Sequence, residues 1–131
     1  MCTTKLPSEW FRTVAAVEGW ATSAIKENGF VRIVSHLSYP NLRLTPALAA
    51  ESLARFKAGF PGIHRFGADE ISLTETALFD LSVLTGSRQT TDVYLAGLAF
   101  RHGGRLTTLD SGIPWRAVRG AEAGLVERIA A

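Results

Sequence analysis

The 131-residue chain has a single cysteine, Cys2. One thiol excludes an internal disulfide and a cysteine-built zinc site, and a reduced, cytoplasmic setting is the simplest reading. Runs of one charge are missing too. The 14 lysines and arginines are scattered singly, so a net charge of +2 and a sequence pI near 9.0 allow an acidic partner such as RNA without arguing for one. No apolar run approaches the ~20 residues that a membrane span needs, and the opening MCTTKLPSEW lacks the apolar centre of a signal peptide. His36, His64 and His102 stand too far apart for an HExxH-like zinc site, and no serine lies in a GxSxG elbow. Internal repeats and low-complexity segments are absent. What remains, 47% hydrophobic and 20% charged, is an ordinary globular composition in one domain over 1–131, large enough to bury a core.

Apolar spacing and breakers divide the chain into short elements. SEWFRTVAAVE places Trp10, Phe11, Val14 and Val17 at helical spacing, with Ser8 as a candidate N-cap and Gly19 as the stop. Trp20-Ala21-Thr22 fits a brief buried strand. Ser23 caps a second helix to about Leu37, in which Phe30, Ile33, Val34 and Leu37 form a core-facing stripe. Tyr39-Pro40-Asn41 is a turn, Thr45-Pro46 starts a helix that stops at Gly59, and Ile63 to Phe66 is a strand. Ser72 or Thr74 opens another helix ending at Gly86. A helix beginning near Arg88 stops at Gly103-Gly104, and a strand, Arg105 to Leu109, follows it. Trp115 to Val118 reads as an edge strand, and GLVERIAA as either a short strand or a frayed helix. Helices alternating with strands predict a three-layer α/β domain, with a mostly parallel central sheet flanked by helices.

Three carboxylates are candidates for chemistry. Glu27 projects from the flank of its helix's apolar stripe, either reaching water or pointing into a cleft. Asp92 lies in a first helical turn, where it also complements the helix dipole. Asp110 ends a strand, the edge at which open α/β sheets bind ligands, and beside Ser111-Gly112 it also suits an Asx-turn. One helix plus one returning strand separate Asp92 from Asp110, which brings both to one sheet edge. Oxygen ligands of this kind suit Mg²⁺ or Mn²⁺. Trp10, Trp20 and Trp115 read as core or interface anchors.

The stretch TTDVYLAGLAFRHGGRLTTLD resembles the C-terminal half of the PIN-domain ribonucleases, particularly VapC-type toxins of bacterial toxin–antitoxin pairs. In that family a TD-x-x-L-A-x-L-A helix leads through H-G-G-x-L to a strand ending T-x-D. GWATSAIKENGFVRIVS resembles the family's second strand and the helix bearing its acidic residue. SYPN, the Thr45-Pro46 helix, IHRFGADE and DLSVLTGSRQ keep the family's order. The likeness runs from about Trp10 to the end.

The resemblance implies RNA cleavage dependent on a divalent metal, Mg²⁺ or Mn²⁺, held by Glu27, Asp92 and Asp110. Thr108 matches a hydroxyl residue supporting the site, and Arg32 and Arg88 are implied phosphate contacts. It also implies a VapB-like antitoxin covering the acidic cleft, and a homodimer. One departure stands out. Family members begin with a strand ending in Asp, usually D-x-N, whereas no Asp precedes Asp69 here. The first, central strand is therefore expected to be missing, through a start lying upstream or a degraded gene. Its loss would leave neighbouring strands with unmade hydrogen bonds, at about 1–3 kcal/mol each. The alternative function is a catalytically impaired remnant that only binds an antitoxin or a paralogue.

Overall fold

Ser23 is at once the last residue of a strand, β1 (Trp20–Ser23), and the N-cap of the helix that follows, α2 (Ala24–Val34). Its hydroxyl accepts from the Lys26 amide at 3.4 Å, satisfying one of the amides that a helix start leaves unpaired. The structure, a computed structural model, describes residues 7–10, 13–14, 18–36 and 45–129. The chain forms two compact units: Phe11–Asp69, and Glu70–Ala131 with Met1–Trp10.

In the unit Phe11–Asp69, α3 (Pro46–Ala58) begins as the sequence predicts. Thr45 accepts from the Leu48 amide at 3.1 Å, Pro46 fills the first turn where no amide is needed, and Gly59 caps the end. The strand β2 (His64–Gly67) pairs in parallel with β1, in the register Trp20↔His64 and Thr22↔Phe66. Alternate strand residues share a face, so Trp20, Thr22, His64 and Phe66 lie together. Trp20 packs its ring 4.4 Å from His64, 5.5 Å from Phe56 and 5.4 Å from Phe60. Gly19, just before β1, has φ +84, and a Cβ there would stand 3.1 Å from the Ile63 carbonyl; only glycine suits it.

The stripe predicted on α2 is corrected. Val34 is buried, but Phe30 and Ile33 are 38% and 50% exposed. Spacing identifies an apolar face; it does not supply a neighbour to cover it. Leu37, the turn at Tyr39, Cys2, Phe11 and Val17 lie outside the described residues, as does the side chain of Ser8, one residue inside the helix that begins at Pro7.

The second unit is organised on α4 (Thr90–Arg101), which buries Val93, Leu95, Ala96, Gly97 and Leu98. Its core joins Val93, Ala96 and Leu98 to Ile71, Leu78, Phe79, Ala117, Val118 and Leu125. Strand β3 (Leu106–Thr108) pairs in parallel with β4 (Val126–Arg128), so the open choice for GLVERIAA resolves as a strand. Trp10, at the end of the short helix α1 (Pro7–Trp10), is buried, and its indole donates to Glu127 Oε1 at 2.8 Å.

Two predictions fail here. Residues 72–86 form turns and a 3₁₀ turn at Leu81–Val83, not a helix, and Trp115–Ala117 is a 3₁₀ turn, not a strand. Backbone pairing accounts for both. Asp80 N–H donates to the Ala117 carbonyl at 2.7 Å and Arg119 N–H to the Leu78 carbonyl at 2.8 Å, across a Phe79–Val118 antiparallel bridge. Those groups are then unavailable to a helical ladder. Helices with parallel strand pairs establish the α/β class. Among the described residues no strand precedes Trp20.

Candidate functional site

Glu27 stands in the first turn of α2, directly after the strand-to-helix junction at Ser23. Its carboxylate is partly buried and fully engaged. Lys57 Nζ, from the last turn of α3, lies 2.9 Å from Oε2 and 3.0 Å from Oε1. The Thr22 hydroxyl donates a hydrogen bond to Oε2. Because that single proton goes to the carboxylate, the Thr22 oxygen accepts from His64 Nε2 at 2.9 Å, which puts the imidazole proton on Nε2. Register explains the contact: Thr22 and His64 share the face of the β1–β2 pair.

Burial acts to raise the Glu27 carboxyl. Hydrogen bonds from Lys57 and Thr22 and the Lys57 charge outweigh it and hold the group below its ordinary value. His64 is moved down by burial and then by the Lys57 charge, against a smaller opposing pull from Glu27, which favours the neutral ring. Beside this cluster an open groove of about 350 Å³ runs between α2 and α3, lined by Glu27, Asn28, Val31, Ala50, Leu53, Ala54 and Lys57.

Asp92 and Asp110 belong to the other unit. Asp92 is half-buried in the first turn of α4, and Asp110 is exposed just beyond β3. The helix packs against that strand. Asp92 lies in the first turn of the helix and Asp110 two residues beyond the strand, on either side of the Gly103-Gly104 turn that joins them. Thr108 supports Asp110 directly: its Oγ1 accepts from the Asp110 amide at 3.0 Å, while its carbonyl accepts from Ile129 N–H at 2.8 Å. Arg88 is exposed in the 3₁₀ turn Ser87–Gln89 that leads into α4, and Arg32 is exposed in the last turn of α2.

Among the described residues, no three His, Cys, Asp or Glu side chains are grouped to hold a metal ion. The donor chemistry nonetheless fits a hard divalent cation. All three candidate ligands offer carboxylate oxygens, and Glu27 already has a cation against both of its own. The chain is similar to Ribonuclease VapC44 of Mycobacterium tuberculosis (strain ATCC 25618 / H37Rv), with 41% identity over 103 residues, 79% of this chain and 70% of that protein. Ribonuclease VapC39 of the same strain is 39% identical over 118 residues, covering 90% of this chain and 80% of the relative.

The chain belongs to the VapC-type PIN ribonucleases. Ribonuclease VapC38 adds 40% identity over 105 residues, covering 80% of this chain and 70% of the relative. No family model matches the chain, and no solved structure does. Within this VapC member, Thr22, His64 and Lys57 surround Glu27 in a way that the sequence does not announce. Lys57 lies thirty residues from Glu27, and only the packing of α3 on α2 brings them together. The parallel register that sets His64 on the same face as Thr22 is visible only once β1 and β2 are paired.

Proposed function

We propose that this chain is a toxin endoribonuclease of a VapBC-type module, cutting RNA phosphodiester bonds with Mg²⁺ or Mn²⁺. Its membership in the VapC ribonucleases, at about 40% identity over most of the chain, is the observation that carries this. Glu27, Asp92 and Asp110 would hold the metal, within one PIN-like domain over 1–131 built as three layers around a mostly parallel sheet. When bound, the ion supplies an activated water and charge stabilisation for the leaving oxygen.

The protein's own groups set up that chemistry. Thr108 fixes the backbone at Asp110, and Thr22, itself held by His64, orients the Glu27 carboxylate. Arg32 and Arg88 are the proposed phosphate contacts, suited by an always-charged guanidinium. A VapB-like antitoxin is the proposed inhibitory partner, its acidic-cleft contact supplied by an arginine fork. A homodimer in the cytoplasm completes the proposal. Among the described residues, no helix is long and apolar enough to cross a membrane.

The test is cleavage of a structured RNA by the purified chain. Cleavage is expected to stop in EDTA and to return when Mn²⁺ is added in excess. Cleavage that continues at the same rate in EDTA would overturn metal dependence.

A further inference from the structure

We propose that Lys57 is a resident counter-cation of Glu27, occupying the cation position on this carboxylate until a divalent ion displaces it. The inference rests on the reading of Glu27 as a metal ligand. Three observations carry it beyond that reading.

The ammonium meets both carboxylate oxygens at nearly equal distance, 2.9 and 3.0 Å, so it sits where a cation bridging the group would sit. A Mg²⁺ ion binds oxygen at about 2.0–2.1 Å, and two positive centres cannot share that position without strong repulsion. Metal entry therefore requires Lys57 to leave.

Departure is also easy. The Lys57 side chain is 25% exposed, lies at the edge of the open groove beside α2, and has a flexible four-carbon stem. The ammonium stands 5.9 Å from the centre of the Phe66 ring, which gives it a second favourable neighbour on that side. Glu27 itself does not need Lys57 to keep its orientation, because Thr22 holds Oε2 independently and His64 holds Thr22. The carboxylate is thus held in place by one set of contacts and neutralised by another. A part-exposed ion pair contributes little to stability. Its consequence lies in metal affinity: Lys57 weakens divalent binding by competing for Glu27.

The experiment is isothermal titration of Mn²⁺ into the full chain without RNA. It compares the native protein with Lys57→Met, Lys57→Arg, Lys26→Met and Glu27→Gln. Lys57→Met should bind Mn²⁺ roughly three- to fivefold tighter, the size expected from removing a screened ion pair. Lys57→Arg, which keeps the charge, should stay near the native affinity. So should Lys26→Met, which removes an exposed charge on α2 that does not pair with Glu27. Unchanged or weaker binding by Lys57→Met overturns the inference, as does an equal gain in Lys26→Met. Glu27→Gln separates the two levels. If it weakens Mn²⁺ binding while Lys57→Met does nothing, the metal-ligand reading stands and the counter-cation is wrong. If Glu27→Gln leaves binding unchanged, or native chain and Lys57→Met both fail to bind, both fall.

Discussion

Glu27 shows how much of a site one residue's neighbours decide. Its sequence position left two choices, water or a cleft, and the structure puts it at a groove edge under Lys57 and Thr22. Spacing could not reveal Lys57, since residues thirty apart on different helices meet only through packing. The use of His64 as a donor to Thr22 depends on strand register, which spacing along the chain does not show. Thr22→Val keeps the side chain's shape and removes its hydroxyl. It should lower metal-dependent cleavage by roughly tenfold, as loss of a carboxylate's outer support does elsewhere. Its melting temperature should stay within a few degrees of native; cleavage at the native rate would show that Thr22 does not position Glu27.

Asp80 offers a separate test of the local electrostatics. Its Oδ1 accepts from the Ser82 hydroxyl and amide, and these bonds, helped by Arg119, hold its carboxyl below the ordinary value. A lowered folded pKa contributes stability above the unfolded value that is lost as pH falls through the folded one. Asp80→Ala should therefore melt earlier than native at pH 7, and the gap should close below about pH 4. A gap of constant size across that range, followed by circular dichroism, would contradict the assignment.

At the scale of elements, strong punctuation was legible and continuous apolar spacing misled. Thr45-Pro46, Ser23 and the two glycines after α4 mark ends through local chemistry, and the structure has those ends. Residues 72–86 carry helical spacing in Leu73, Ala77, Leu78, Leu81 and Leu84. They do not form a helix, because residues 78–80 pair with 117–119 instead. That pairing drives Phe79, 2% exposed, against α4 at Gly97. A Cβ at Gly97 would overlap the Phe79 ring. Alanine gains about 1 kcal/mol of helix propensity over glycine, but a ring locked in the core cannot yield, so overpacking prevails. Gly97→Ala should lose about 1–3 kcal/mol in urea unfolding. A stabilised variant would mean that Phe79 does not pack here.

For the whole molecule, the α/β class and the family were legible because both follow from the order of elements and from several linked motifs. The core of the second unit was less so, since Phe79, Ala117 and Val118 enter it through an antiparallel bridge between segments almost forty residues apart. The acids at the heart of the proposal come from both units, Glu27 from one and Asp92 with Asp110 from the other. The role proposed for them is chemical, as carboxylate ligands of a divalent ion.

The most direct measurement is the single-turnover rate at which the native chain, Asp92→Asn and Asp110→Asn cleave one structured RNA in saturating Mn²⁺. Losing a ligand to an ion that contributes several kcal/mol should slow each variant at least about a hundredfold, with the fold intact by circular dichroism. Folded variants that cleave as fast as the native chain would contradict the carboxylate metal centre.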